Sequence, residues 1–149
     1  MEYTSSFNFK LELNNDWEQV LPVTNTMPDT IMEFRHKKVN CPLYITLSGQ
    51  RPISGMEAFF TYVERKLNNE NFNIISDKTL NYKNKFREFE ILETVVQNPK
   101  TNENEIHFYF QFDDDFFYCG AVKFENILLK DVPQFEQTLY DVLKYWQTK

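Results

Sequence analysis

Apolar and polar residues alternate with period two over several stretches of this 149-residue chain, and with period near 3.6 over two others. Phe7, Phe9, Leu11 and Leu13 alternate with Asn8, Lys10 and Glu12, which predicts a strand with one buried face. A short strand is expected near Trp17–Leu21, followed by a loop, because Pro22 and Pro28 each remove a ladder donor. Ile31–His36 and Leu43–Leu47 read as a hairpin around Lys37-Lys38-Val39-Asn40, with Pro42 at a strand start or edge. Met56, Phe59, Phe60, Val63 and Leu67 then recur at helical spacing, predicting a helix over about 56–68. Ser54-Gly55-Met56-Glu57 fits a capping box at its start, and Asn68-Asn69 closes it.

Five strand-like runs follow: Phe72–Ile75, Thr79–Tyr82, Phe86–Val96, Ile106–Phe112 and Phe116–Phe124. The last two form a hairpin whose register depends on its turn. A two-residue loop at Asp114-Asp115 pairs Phe110 with Cys119 and sets the two apolar rows on opposite faces, implying cover on both. A three-residue loop aligns the rows. Asp131, Pro133 and Gln134 open a second helix over about 133–146, with Asp131 as N-cap and a stripe of Phe135, Leu139, Val142, Leu143 and Trp146. No repeat or linker interrupts this plan. The expectation is one α+β domain over 1–149, a mostly antiparallel sheet sandwiched between a mid-chain helix and a C-terminal helix.

Composition adds that large planar side chains fill the core, since the chain holds 15 Phe, 8 Tyr and 2 Trp. Its start at Met1 is polar and acidic, without a signal-peptide pattern, and no apolar run is long enough to insert in a membrane. Cys41 and Cys119 lack metal-ligand spacing and read as two reduced, buried thiols of a cytoplasmic protein, a disulfide between them being the alternative.

The opening Phe-x-Phe-x-Leu-x-Leu strand runs into Asn14-Asn15-Asp16-Trp17, and a hairpin, a mid-chain helix, a sheet-rich half and a final helix follow. This order resembles the PsbP-like α/β/α-sandwich superfamily across nearly the whole chain. Of the Pro-x-Gly-Trp motif that many members carry after the first strand, the tryptophan alone is matched, by Trp17. That superfamily includes photosystem extrinsic subunits, a Ran-binding nuclear import factor, DcrB-like proteins and chaperones of type VI secretion effectors. The resemblance implies an assembly or partner-binding role and carries over no catalytic residue.

Candidate chemistry is sparse. His36 and His107 stand apart, and a His107–Cys119 nucleophile pair is forbidden by the two-residue turn and only diagonal in the three-residue one. His36 with Arg35, Lys37 and Lys38 reads as a solvated basic turn. Asp113-Asp114-Asp115 lacks the further ligands and glycine of a calcium loop, Glu93 falls opposite Glu88 and Glu90 on a strand, and no glycine-rich loop cradles phosphate. No catalytic residue, cofactor or metal is therefore expected.

Charge is more informative. Residues 86–125 hold nine acids and three bases, whereas the remainder holds thirteen of each. Such a segment repels nucleic acid and anionic lipid and is able to steer a basic protein partner, the alternative being that the charge serves solubility alone. The leading expectation is a non-catalytic binding module (adaptor, effector chaperone or immunity-type protein) meeting its partner through Glu103, Glu105, Asp113, Asp114 and Asp115. The alternative is a small-molecule binding protein or enzyme with a pocket between sheet and helix. A cavity with converging polar groups favours the second; a filled core beside a continuous exposed aromatic patch favours the first.

Overall fold

A computed structural model describes residues 1–24, 29–114 and 118–148. The short strands β1 (Glu2–Thr4), β2 (Phe9–Glu12) and β3 (Trp17–Gln19) open the chain, followed by β4 (Thr30–His36) and β5 (Pro42–Gln50). Helix α1 (Met56–Asn69) leads into β6 (Asn73–Lys83), β7 (Glu88–Gln97), β8 (Asn104–Gln111) and β9 (Tyr118–Ile127). Helix α2 (Val132–Leu143) and β10 (Gln147–Thr148) close it. The expected α+β architecture is present: a seven-stranded antiparallel sheet in the order β3-β4-β5-β9-β8-β7-β6, with a small β1-β2-β10 sheet beside it.

The two helices cover opposite faces of the large sheet. Met56, Phe59, Phe60, Val63 and Leu67 of α1 pack on Leu92, Val96, Tyr109, Cys119 and Ala121. Leu139, Val142 and Leu143 of α2 join the larger cluster on the other face, which includes Phe108, Phe110 and Phe124. The small sheet adds Phe9 and Leu11 to that layer, and the Phe9 ring stacks on Trp146 at 4.3 Å between centroids. Every residue of the predicted α1 stripe is buried.

Several local expectations are corrected. The capping box does not form: the N-cap of α1 is Gly55, at φ 101°, without a side-chain bond. Because the helix starts at Met56, Ser54 lies one position too early and Glu57 one too early to reach back. Asp131 is the N-cap of α2, but its side chain makes no capping bond; a 3₁₀ turn over Leu129–Asp131 leads in instead. That helix ends at Leu143, three residues before the predicted end. There Asn84 Nδ2 donates to the carbonyls of Leu143 (2.7 Å) and Trp146 (2.9 Å), satisfying acceptors that the helix end leaves open. The two predicted runs at 72–82 are one strand, β6, with an irregularity between Ile74 and Ser76.

The β8–β9 register is also not that of a two-residue loop. Phe110 pairs with Gly120 and Phe108 with Val122, and the Phe112 amide donates to Tyr118 O; residues 115–117 lie outside the described residues. The apolar rows are therefore aligned. Gly120 fixes this arrangement, since a Cβ there would lie 2.6 Å from Phe112 Cζ and would collide with the Thr46 carbonyl oxygen. Both faces are covered all the same, because Tyr109, Cys119 and Ala121 point to α1.

Candidate functional site

The face beneath α1 changes character across the sheet. Burial of Ile106, Phe108 and Phe110 on the α2 side leaves Glu105, His107 and Tyr109 of β8 on the α1 side. Register continues the polar row sideways: His107 lies opposite Thr94 of β7 and Lys123 of β9, Lys123 opposite Tyr44 of β5, and Tyr44 opposite Glu33 of β4. Directly paired residues of an antiparallel sheet share a face, so five strands contribute to one polar belt. At the β4 end, Glu33 is buried and accepts hydrogen bonds from the amide and hydroxyl of Thr24.

Where α1 stops covering this belt, a cavity of about 540 Å³ opens. The C-terminal half of α1 forms one wall with Tyr62, Lys66 and Glu70, and Phe72 and the turn at Asn98-Pro99-Lys100 form another. Asp29, Ser48, His107, Lys123 and Glu125 also line it.

His107 is wired at both nitrogens. Nε2 lies 2.8 Å from Glu105 Oε1 and Nδ1 3.0 Å from the Tyr109 hydroxyl, while Asn98 Nδ2 donates to Glu105 Oε2 at 2.9 Å. Burial pushes the imidazole down to about 4, against the pull of Glu105, so it is neutral at pH 7. An ionised carboxylate only accepts, so Nε2 carries the proton and Nδ1 accepts the Tyr109 O–H. Burial would raise the Glu105 carboxyl, but hydrogen bonds from His107 and Asn98 and the charge of Lys123 together hold it below the usual range. Burial also raises the Tyr109 hydroxyl.

Lys123 is the cation at the centre of the belt. Burial lowers its ammonium, against the attraction of Asp29, Glu105 and Glu70, and among the described residues no carboxylate lies within ion-pair distance of it. Glu125, next on the same face of β9, is raised to about 7 by burial and then by the Glu105 charge. A buried oxygen of Asp29, Oδ1, has no hydrogen-bond partner among the described residues. The arrangement therefore offers an amine without an ion-pair partner among the described residues, a carboxyl titrating near neutrality and a fixed neutral imidazole to whatever enters.

The acidic residues expected to meet a partner are not assembled on one surface. Glu105 is 5% exposed, bound to His107, and Asp113 is fully buried, accepting from Asn8 Nδ2 (3.3 Å) and the Tyr118 amide (3.2 Å). Glu103 and Asp114 are exposed, but they flank opposite ends of β8, roughly 26 Å of strand. Asp114 is paired with Arg87 Nε at 3.3 Å. Asp115 lies outside the described residues.

Cys41 and Cys119 are free and buried, and burial pushes their thiols up to about 11 and about 12. Cys119 pairs with Gln111, four residues along β8 from His107, about 13 Å away, so the two form no nucleophile–base pair. His36 stands edge-on to Trp17 at 4.9 Å between ring centroids. Among the described residues no group of three or more His, Cys, Asp or Glu is placed to hold a metal ion, and no helix is long and apolar enough to cross a membrane.

Sequence reasoning missed His107, Tyr109 and Lys123 as a group. The signal available was the alternation of Glu105, His107 and Tyr109 against the phenylalanines of the same strand, which marks a second buried face of polar type. The chain matches no protein-family model, and no curated protein is significantly similar to it.

Proposed function

We propose that this protein binds a small polar ligand in the cavity between α1 and the sheet. The observation that carries this reading is the convergence of Lys123, Glu125 and the Glu105–His107–Tyr109 chain in one cavity of about 540 Å³, within the range typical of small-molecule sites. Buried polar groups cost stability unless they serve packing or a ligand, and Asp29 Oδ1, in the cavity wall, has no hydrogen-bond partner among the described residues.

Docking of a basic protein through the acidic segment is less well supported, because Glu105 and Asp113 are turned inward and Glu103 and Asp114 lie far apart. The exposed aromatics do not replace it: Phe86 and Tyr145 share the Lys85 ammonium over their rings, and Tyr62 stands at the cavity mouth. We read the element order, with Trp17 after the first long apolar stretch, as PsbP-like, and the two free buried thiols as suited to the cytoplasm.

A thermal-unfolding screen against small carboxylates, amines, sugars and carbonyl compounds tests the binding reading. A ligand held at 100 times its dissociation constant should stabilise the protein by about 2.7 kcal/mol. The expected result is saturable stabilisation that is lost in Lys123→Met. Stabilisation undiminished in that variant, or none in any chemical class, refutes the proposal.

A further inference from the structure

Resting on that reading, we infer that the ligand is an aldehyde or ketone, captured as an imine by Lys123 with Glu125 as the proton donor. Three observations point to a carbonyl compound. The first is placement: Lys123 sits partly buried in the cavity lining, and among the described residues no carboxylate lies within ion-pair distance of its Nζ. The second is the company it keeps. Asp29, Glu70, Glu105 and Glu125 face Lys123, against Lys66, neutral His107 and the more distant Lys100, so the cavity has no positive excess to attract an anion. An electroneutral carbonyl group meets no repulsion there. The third is Glu125, two residues along β9 and therefore on the same face, its α-carbon about 7 Å away.

The chemistry needs no further reagent. The Nζ lone pair attacks the carbonyl carbon, and one proton moves from nitrogen to oxygen to give a carbinolamine. Protonated Glu125 then gives its proton to the hydroxyl, which leaves as water while the nitrogen lone pair closes the C=N bond. The iminium proton returns to Glu125, so amine and carbonyl become imine and water with no change of oxidation state. A lysine performs this reaction only as the free amine, which an ordinary lysine holds at roughly 0.04% at pH 7. Burial of Lys123 raises that fraction, and a carboxyl near 7 is matched to proton transfer at neutral pH.

Benzaldehyde with sodium cyanoborohydride at pH 7 traps such an imine as a stable secondary amine, read by intact mass and peptide mapping. The expected result is one benzyl adduct per chain at Lys123, formed about tenfold or more faster than at exposed Lys130, since Lys123 has the Glu125 carboxyl beside it as proton donor and Lys130 lies outside the cavity. Lys123→Arg and Lys123→Met should melt cooperatively and lose that adduct, and Glu125→Gln should slow it about a hundredfold. Label spread over exposed lysines, an unchanged adduct mass in Lys123→Arg, or an unchanged rate in Glu125→Gln overturns the inference. Benzyl alcohol, which cannot form an imine, separates the two readings. If it stabilises wild type but not Lys123→Met while benzaldehyde leaves no adduct, the cavity binds ligands and the imine is refuted.

Discussion

Lowering the pH from 7 to 5 should cost the folded protein about 2 kcal/mol through His107 alone. The imidazole lies at about 4 in the folded chain, pushed there by burial, against 6.5 in the unfolded one. The unfolded state therefore binds the proton first, and the contribution is fully present above 6.5 and is lost as pH falls toward 4. With these two values the loss reaches about 2 kcal/mol at pH 5 and about 3 kcal/mol at pH 4. Glu105, held below the usual carboxylate range, stays ionised at pH 5 and keeps accepting from Nε2. His107→Gln removes the titration while keeping a donor and an acceptor. Urea unfolding of wild type and this variant at pH 7, 6 and 5 isolates the term, because acid-dependent changes elsewhere cancel in the difference. Wild type should approach the variant, or fall below it, by about 2 kcal/mol over that range. Parallel stability curves would refute a buried neutral His107.

Gly120→Ala places a methyl group against the Thr46 carbonyl and the Phe112 ring, neither of which can withdraw without moving the sheet, so a loss of about 1–3 kcal/mol or more is expected in denaturant unfolding; an unchanged midpoint contradicts the β8–β9 packing. Phe60→Ala and Leu139→Ala remove buried side chains on opposite faces and should each cost about 2–5 kcal/mol, and unchanged stability in either would unseat that helix. Glu93 is raised to about 8 by burial and then by its hydrogen bond and charge interaction with Glu136, against the counter-charge of Lys78. Its contribution is present below about 4.5, where the unfolded carboxyl is also protonated, and is lost as pH rises through 8. Glu93→Gln should flatten the decline of melting temperature between pH 5 and 8, and an equally steep decline in the variant would place that titration elsewhere.

The parts of the fold that rest on local periodicity are readable in the chain. The α1 stripe from Met56 to Leu67 and the alternation through Phe9, Leu11 and Leu13 each encode one buried face, whereas Phe7 lies in a turn ahead of the strand, past Asn8 at φ 70°. What fails is set by single-residue offsets or by distant partners. Gly55 displaces Ser54 as cap through a shift of one position, and the pairing of β8 with β9 places the Phe112 ring against Gly120. The site is harder still. Glu33, Tyr44, His107 and Lys123 become neighbours only through the order β4-β5-β9-β8, and no local pattern states which strands pair. Carboxylates also mislead when charge is equated with exposure: Glu105 and Asp113 are buried because His107, Asn98, Asn8 and the Tyr118 amide satisfy them.

The central claim is that the cavity beside α1 is a ligand site, and amide and side-chain NMR of the labelled protein, titrated with the compounds that stabilise it, tests this most directly. Shifts should centre on His107, Tyr109, Lys123 and Glu125 and extend to Lys66 and Glu70 across the cavity, saturating with one equivalent of ligand. Saturable shifts confined to the edge-on pair Trp17 and His36, or to Glu103 and Asp114, with the His107 imidazole and Lys123 unmoved, would contradict it.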